Sequence, residues 1–496
     1  MGEQMDEPMD KQLPRLAPDR LPALSAHLSP LPWTEPRVGI VHLGLGNFHR
    51  AHQAMYTEDA MLAAGGDWGI CGVSLRRPDT RDALAPQGGL YSVLIRDADG
   101  ERVQVVRALR RVLVATQEQD AVLDALRDSR VRIVSLTVTE KGYCLDPRTG
   151  GLDMTHPQVA RDLRDPDHPQ SVPGYLVAGL RARRDNPYTV LSCDNLAHNG
   201  AALRRVVLDY ARALDAGLAD WIERSVAFPS TMVDRIVPAT TDADRAAAAA
   251  ALGCVDAWPV PAESFRQWVI EDRFPAGRPA WERAGALLVE DVTPYETAKL
   301  RMLNGIHSTL AYLALLADIE TVDRAIAQPD LHALAHRMMS EDIAPTLTVP
   351  AAFDRARYRD DLLARFANPA LKHRCAQIAM DGSQKLPPRL LGTAADRLRD
   401  GHAVDRLALG VAAWMCFLSG RSESGAALEL NDPMADRLSA LAAPGADGLA
   451  DRLLAVADIF PPELAADARF TAAVRRACDA LARDGALGTA RRYAAL

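Results

Sequence analysis

Arg37-Val-Gly-Ile-Val-His-Leu43-Gly44-Leu-Gly46-Asn-Phe48-His49-Arg-Ala-His-Gln53 is the stretch on which the reading of the fold turns. Its first seven residues form a short apolar run, which predicts a buried strand. Gly44-Leu-Gly46 follows at once, and a helical pattern runs from about residue 48 to 64. Strand, G-x-G and helix together open a dinucleotide-binding βαβ unit. The first glycine permits the tight turn, the second lets a pyrophosphate come up against the backbone, and the helix N-terminus faces the negative charge. The third glycine of G-x-G-x-x-G is absent, and His49 stands in its place.

A second strand is expected at 68–75, running into Arg76-Arg77-Pro-Asp79. An acid at this point would bind the ribose 2′-hydroxyl of NAD, which makes Asp79 the candidate. The two arginines would equally suit the 2′-phosphate of NADP, or lie in solvent. Further strands are read near 90–95, 103–106, 131–138 and 188–192, with helical segments between several of them. That alternation predicts an α/β fold with a doubly wound, mainly parallel, Rossmann-type sheet. From about Trp281 onward Ala/Leu/Arg helical patterns dominate, at 294–317, 321–340, 359–367, 386–400, 403–419, 448–458 and 470–485. The expected organisation is a loose N-terminal arm (1–36), a dinucleotide-binding domain (37–289) and an all-α C-terminal domain (290–496). The alanine run at 246–251 is read as helix, since Ala has the highest helix propensity.

The 496 residues carry 57 Lys plus Arg against 65 Asp plus Glu, a net charge of −8. The charges are interspersed, with no basic face for nucleic acid. Seven scattered cysteines lack a C-x-x-C pair, and H-E-x-x-H is absent. These features predict a reduced, cytoplasmic protein without a zinc site. No apolar leader opens the chain, and the longest apolar stretch, about residues 407 to 418, falls short of a membrane span. Only five of the basic residues are lysines: Lys11, Lys141, Lys299, Lys372 and Lys385. Arginine serves almost wherever a positive charge suffices, so a retained lysine is informative, since lysine offers an amine that can lose its proton.

Lys299 stands in Glu296-Thr-Ala-Lys299-Leu-Arg-Met-Leu-Asn304-Gly-Ile-His307, read as a regular helix. At about 100° per residue, Lys299, Asn304 and His307 share one side, with Lys299 about 12 Å from His307 along the axis. Alcohol oxidation needs a base with a pKa near working pH, and burial beside a positive nicotinamide would bring a lysine there. Amide side chains can hold a developing alkoxide. Asn304 and Asn195, in Ser192-Cys-Asp-Asn195, are the candidates. Tyr295-Glu-Thr-Ala-Lys299 matches Y-x-x-x-K, but the chain length and the turn do not suit a short-chain dehydrogenase. Tyr295 is therefore read as packing.

Taken together, Val41 to Gln53, Thr137-Val-Thr-Glu-Lys-Gly-Tyr-Cys144, Ser192 to Asn195, Phe228-Pro-Ser-Thr-Met-Val-Asp-Arg-Ile-Val-Pro238 and Lys299 to His307 resemble the polyol-specific long-chain dehydrogenases. Mannitol 2-dehydrogenase and fructuronate reductase (D-mannonate oxidoreductase) belong to that family. The resemblance runs from about residue 37 to near the C-terminus. It implies a Rossmann domain and a helical domain with the site in a cleft, no metal, NAD as cofactor (NADP left open by Arg76 and Arg77) and a monomer. It further implies Lys299 as catalytic acid/base, Asn195 and Asn304 as the oxyanion site, His307 and Asp234 on substrate hydroxyls, and Glu296 as a proton relay. Gly44, Gly46, Phe48 and Asp79 are the expected cofactor contacts.

Thr139 to Cys144 and Ala379-Met-Asp-Gly-Ser-Gln-Lys385-Leu-Pro-Pro-Arg389 are closer to the fructuronate reductase branch. A uronate needs a cation for its carboxylate, and Lys385 and Arg374 are the candidates. Ile306 replaces the Ser expected in that branch and is read as reshaping the pocket. The leading expectation is thus the D-mannonate/D-fructuronate pair, with D-mannitol/D-fructose as the alternative. A cofactor-binding sensor or an epimerase is the reading of another class, disfavoured by the intact Lys299, Asn195, Asn304 and His307 set, because a sensor need not keep a base.

Overall fold

The computed structural model describes residues 13–28, 35–97, 100–146, 148–370, 372–443 and 448–496. The chain forms two compact units, Met1–Val292 and Thr293–Leu496. Lys11 lies outside the described residues.

Among the described residues of the first unit are eleven strands: β1 (Val38–Leu43), β2 (Gly69–Ser74), β3 (Tyr91–Asp97), β4 (Gly100–Val106), β5 (Leu109–Val114), β6 (Ile133–Leu136), β7 (Thr189–Ser192), β8 (Thr231–Asp234), β9 (Val260–Glu263), β10 (Gln267–Glu271) and β11 (Leu287–Val289). The main sheet has the order β5-β2-β1-β6-β7, and every pairing in it is parallel. Its strands are almost wholly apolar and buried, because helices cover both faces of such a sheet. β1 sits in the middle, with Val41 level with Cys71 on one side and Val134 on the other. The chain leaves β1 for β2 on one side and later returns to β6 on the other. The ends of β1 and β6 therefore flank the switch point where α/β sheets bind ligands.

The parallel sheet is as expected, but β5 was not foreseen. Arg110 and Arg111 interrupt its apolar run, which a strand at the sheet edge tolerates. Two small mixed sheets, β4-β3-β9 and β11-β10-β8, add antiparallel pairs. The helix Asp242–Leu252 carries the alanine run and starts in a reciprocal cap: Thr241 N–H donates to the Asp244 carboxylate, and Asp244 N–H donates to the Thr241 hydroxyl.

The N-terminal arm is not loose over its described part. Leu16 N–H donates to the Val255 carbonyl and Val255 N–H to the Pro14 carbonyl, both at 2.8 Å. A 3₁₀ segment, Pro18–His27, then lays Leu24 beside Leu16, Leu94, Val105 and Leu252. The polar, proline-rich composition hid these widely spaced leucines.

Among the described residues, the regular elements of the second unit are all helices. Three helices, Ile306–Leu316, Asp405–Phe417 and Ala468–Ala494, contribute to one large apolar core. The stretch too short for a membrane span is the buried helix Asp405–Phe417 of this core. Among the described residues no helix is long and apolar enough to cross a membrane. The long C-terminal helix breaks at Gly485 (φ 68°), where Glu423 accepts the Ala486 N–H freed by the kink.

Candidate functional site

In the first unit the G-x-G turn follows β1. Gly44 has φ +94°, and a Cβ there would lie 2.2 Å from the Thr137 carbonyl oxygen. Its own carbonyl accepts the Thr137 hydroxyl at 2.9 Å. Gly46 is the opposite case: it is exposed, precedes the helix Asn47–Ala51, and a Cβ would meet only Gly44 O, at 3.9 Å. The crowded glycine makes the turn and the open one leaves room for a ligand against the backbone.

His49, at the missing third glycine, stacks on His42 of β1 with ring centroids 3.4 Å apart. His42 Nδ1 lies 2.8 Å from Ser135 Oγ and Nε2 2.9 Å from Thr137 Oγ1. Since that Thr137 hydroxyl gives its proton to Gly44, it receives one from Nε2–H. Burial holds both rings neutral, with His42 lowered to about 3 and His49 well below its ordinary value. The helix expected to run unbroken from 48 to 64 is interrupted at His52 (φ −123°, ψ −90°), on whose ring Phe48 stacks at 5.0 Å. Asp79 is exposed at the start of the helix Asp79–Leu84, and Arg76 and Arg77 are exposed between it and β2.

Beyond β6 and β7 two loops are tied together by a buried acid that the sequence reading passed over. Asp194 accepts the Thr139 N–H at 2.7 Å and the Tyr143 hydroxyl at 3.0 Å, with Thr139 in the left-handed region (φ 63°). Burial raises its pKa. Asn199, also buried, donates to the carbonyls of Asp194 and Thr231 and accepts Thr231 N–H, all at 2.9 Å. Exposed Asn195 is thus carried on a segment anchored on both sides. Asp234 ends β8, buried, level with Gln267 of β10. The neighbouring Arg235 is a clasp: it donates to the Glu263 carbonyl at 2.9 and 2.7 Å and to the Ala51 carbonyl. Burial draws its pKa down to about 10.

In the second unit the helix expected over 296–307 is not regular. An α-helix, Thr293–Ala298, passes into a π-helical turn, Lys299–Gly305, and then into the helix Ile306–Leu316. Each π turn holds more residues than an α turn, so the projection at 100° per residue fails, and such turns recur at functional sites. Lys299 and His307 are both only 8% exposed, while Asn304 and Glu296 are half-buried. A second π turn, Pro387–Leu391, packs on the first, and a Cβ on Gly305 would come 2.9 Å from the Arg389 carbonyl oxygen. Arg389 Nη1 donates to Ser308 Oγ at 2.9 Å and to the Asn304 carbonyl at 3.5 Å. Among the described residues the buried Nε2 of His307 has no hydrogen-bond partner, and its ring lies 4.9 Å from Phe366 and 5.0 Å from His373. Burial, with His373, Arg389, Arg365 and Lys385 adding to it, drives His307 well below its ordinary pKa.

Lys385 stands 3.7 Å from Asp381, and burial lowers its pKa. The structure also places two further residues of the sequence reading. Arg374 is exposed and turned to Glu320, 3.6 Å away, so it does not join the group around His307. Ile306 is fully buried in the helical core. Tyr295 packs edge-on to Phe353, at 5.8 Å between ring centroids. Arg389, Arg365 and His373 were missed. Arg389 closed a quoted motif, but nothing local distinguishes its half-buried guanidinium from a surface charge. Among the described residues no group of three or more His, Cys, Asp or Glu side chains is placed to hold a metal ion.

The family described as mannitol dehydrogenase Rossmann domain matches residues 38–283, and the mannitol dehydrogenase C-terminal domain matches residues 291–482. The oxidoreductase YeiQ of Escherichia coli K12 is 45% identical over 455 residues, 90% of this chain and 93% of that one. The D-mannonate oxidoreductase of the same organism is 44% identical over 456 residues, 90% of this chain and 94% of that one. The Pseudomonas fluorescens mannitol 2-dehydrogenase, solved in a ternary complex with NAD and D-mannitol, superposes with a TM-score of 0.84 at 39% identity, covering 96% of this chain and 99% of that one.

Proposed function

Since the chain belongs to the mannitol dehydrogenase family of oxidoreductases, we propose that it interconverts a secondary alcohol of an aldonate with the 2-keto sugar acid, as in D-mannonate and D-fructuronate. The observation that carries this reading is Lys299: a buried lysine in an arginine-rich chain, opening a π turn that also bears Asn304 and leads to His307. In the oxidative direction its neutral amine removes the hydroxyl proton, and the ammonium returns it in reduction. Asn195 and Asn304 hold the developing alkoxide. Asp234 and His307 bind neighbouring hydroxyls, and Glu296 passes the proton to solvent.

NAD, held at Gly44, Gly46 and Phe48 with Asp79 on the ribose, supplies the hydride acceptor. The open backbone at Gly46 suits its pyrophosphate. Exposed Arg76 and Arg77 support testing NADP alongside. The acid end of the substrate is supported by the cations Lys385, Arg389 and Arg365, which act on His307. We further take the enzyme to be a cytoplasmic monomer. Its seven unpaired cysteines suit a reducing compartment.

The D-mannitol/D-fructose pair is the second reading, favoured by the likeness to the Pseudomonas mannitol 2-dehydrogenase. Oxidation of NADH and of NADPH, followed with D-fructuronate and D-fructose side by side, separates the two. The first reading expects turnover of D-fructuronate, and turnover of D-fructose alone overturns it.

A further inference from the structure

We infer that Arg389 is the residue that takes the carboxylate of the substrate, and so the residue by which the enzyme separates an acidic sugar from a neutral polyol. The inference rests on the sugar-acid reading above. Arg389 is held in place by its own unit. The π turn that carries it closes on the turn from Lys299 to Gly305, and the bare Cα of Gly305 is what allows the approach. One nitrogen, Nη1, is used internally, on Ser308 Oγ and the Asn304 carbonyl. Both acceptors are neutral, and the other guanidinium N–H groups make no hydrogen bond to the described residues.

Three other arginines of this unit stand in contrast. Arg301 pairs with Asp396, while Arg397 and Arg406 both pair with Asp342. Arg389 has no carboxylate within ion-pair distance among the described residues. A half-buried guanidinium without a counter-ion keeps free N–H groups on a planar fork, which matches a carboxylate bidentately.

Two further observations point to a ligand at this place. His307, one residue before Ser308, is nine-tenths buried, and its Nε2 has no partner among the described residues. Lys385 lies on the short helix, Gly382–Leu386, that leads straight into the Arg389 turn. It adds a second positive charge, though Asp381 already offsets it at 3.7 Å. A carboxylate on Arg389 would place the adjoining hydroxyls of an aldonate beside His307, and beside Asn304, whose carbonyl Arg389 touches. A neutral polyol would leave the guanidinium uncompensated.

The test uses the full-length enzyme and its Arg389→Gln and Arg389→Lys variants, assayed with NADH against D-fructuronate and D-fructose. NADH affinity and melting temperature are measured for each protein. Arg389→Gln is expected to lower kcat/KM for D-fructuronate about 100-fold, the scale of a lost charged hydrogen-bond pair. The loss should fall mainly in KM, with D-fructose turnover and NADH affinity changed less than about threefold. Arg389→Lys keeps the charge without the fork and recovers part of the loss. Undiminished D-fructuronate turnover in Arg389→Gln, or equal losses with both sugars, overturns the assignment while leaving the sugar-acid reading intact. A wild-type enzyme that uses D-fructose and ignores D-fructuronate overturns that reading and the anchor with it.

Discussion

The carbonyl oxygen of Thr137 occupies the space that a Cβ on Gly44 would need, 2.2 Å from it, while the Thr137 hydroxyl donates to the carbonyl of that same glycine. The turn after β1 is therefore clamped by the end of β6 from two directions. Gly44→Ala brings both a left-handed backbone and a backbone clash, and is expected to cost about 3 kcal/mol or more of stability. Gly46→Ala meets neither and should stay within about 0.5 kcal/mol of wild type, yet bind NADH at least tenfold more weakly because the added methyl blocks the ligand. Chemical denaturation and NADH fluorescence titration read the two effects. Normal NADH binding by Gly46→Ala would show that the cofactor does not approach there.

Lys299→Ala should lower kcat by about 10²–10⁴, the usual weight of a general acid or base, and leave NADH affinity within about twofold. Stopped-flow hydride transfer and equilibrium titration check the two halves. Near-normal turnover at pH 7 would remove Lys299 from the role of base.

Two buried histidines make the stability of the first unit pH-dependent. His42 and His52 are both lowered from 6.5 to about 3, chiefly by burial. In the unfolded chain they protonate as pH falls through about 6.5, whereas in the folded unit they resist until about 3. Their stabilising contribution is thus complete above pH 6.5 and is lost as pH falls toward 3, at up to about 1.4 kcal/mol per pH unit for each histidine. Urea unfolding at pH 7, 6, 5 and 4 should show this slope, reduced in His42→Asn. An identical slope in the variant would mean that His42 is not held neutral.

Asp194→Asn keeps an acceptor for Thr139 N–H but cannot also accept the Tyr143 hydroxyl. A loss of about 1–3 kcal/mol is expected for a group left short of a partner in a buried network. The loops that carry Thr139 and Asn195 should loosen together, lowering kcat more than NADH affinity. Hydrogen exchange over 137–144 and 193–199 provides the check, and unchanged protection of both segments would contradict the coupling.

Arg374→Ala is expected to do little. Both members of the Arg374–Glu320 pair are more than half exposed, and such pairs are worth about 0–1 kcal/mol before screening by salt. Activity with D-fructuronate should stay within about twofold of wild type. A large rise in KM would return Arg374 to the substrate site.

Elements with a strong local period could be read directly. The apolar run of β1, the glycine pair after it and the Ala/Leu helices beyond residue 290 each declare themselves within a dozen residues, because strand, turn and helix are set by neighbours along the chain. β5 escaped because its two arginines belong to an edge that only the finished sheet defines. Leu16 and Leu24 escaped because they are too far apart to form a pattern.

The candidate site divides in the same way. Residue types were enough to single out Lys299, Asn304, His307 and Asn195, since few side chains can serve as base or oxyanion donor. Packing distinguished Arg374 from Arg389. In sequence they are two arginines fifteen positions apart; folded, one meets Glu320 at the surface and the other is drawn in by the contact of two π turns over Gly305. Backbone period is a local property, so the chain displays it. Burial and the lack of a counter-charge depend on residues distant in sequence, and exist only once the helices have packed.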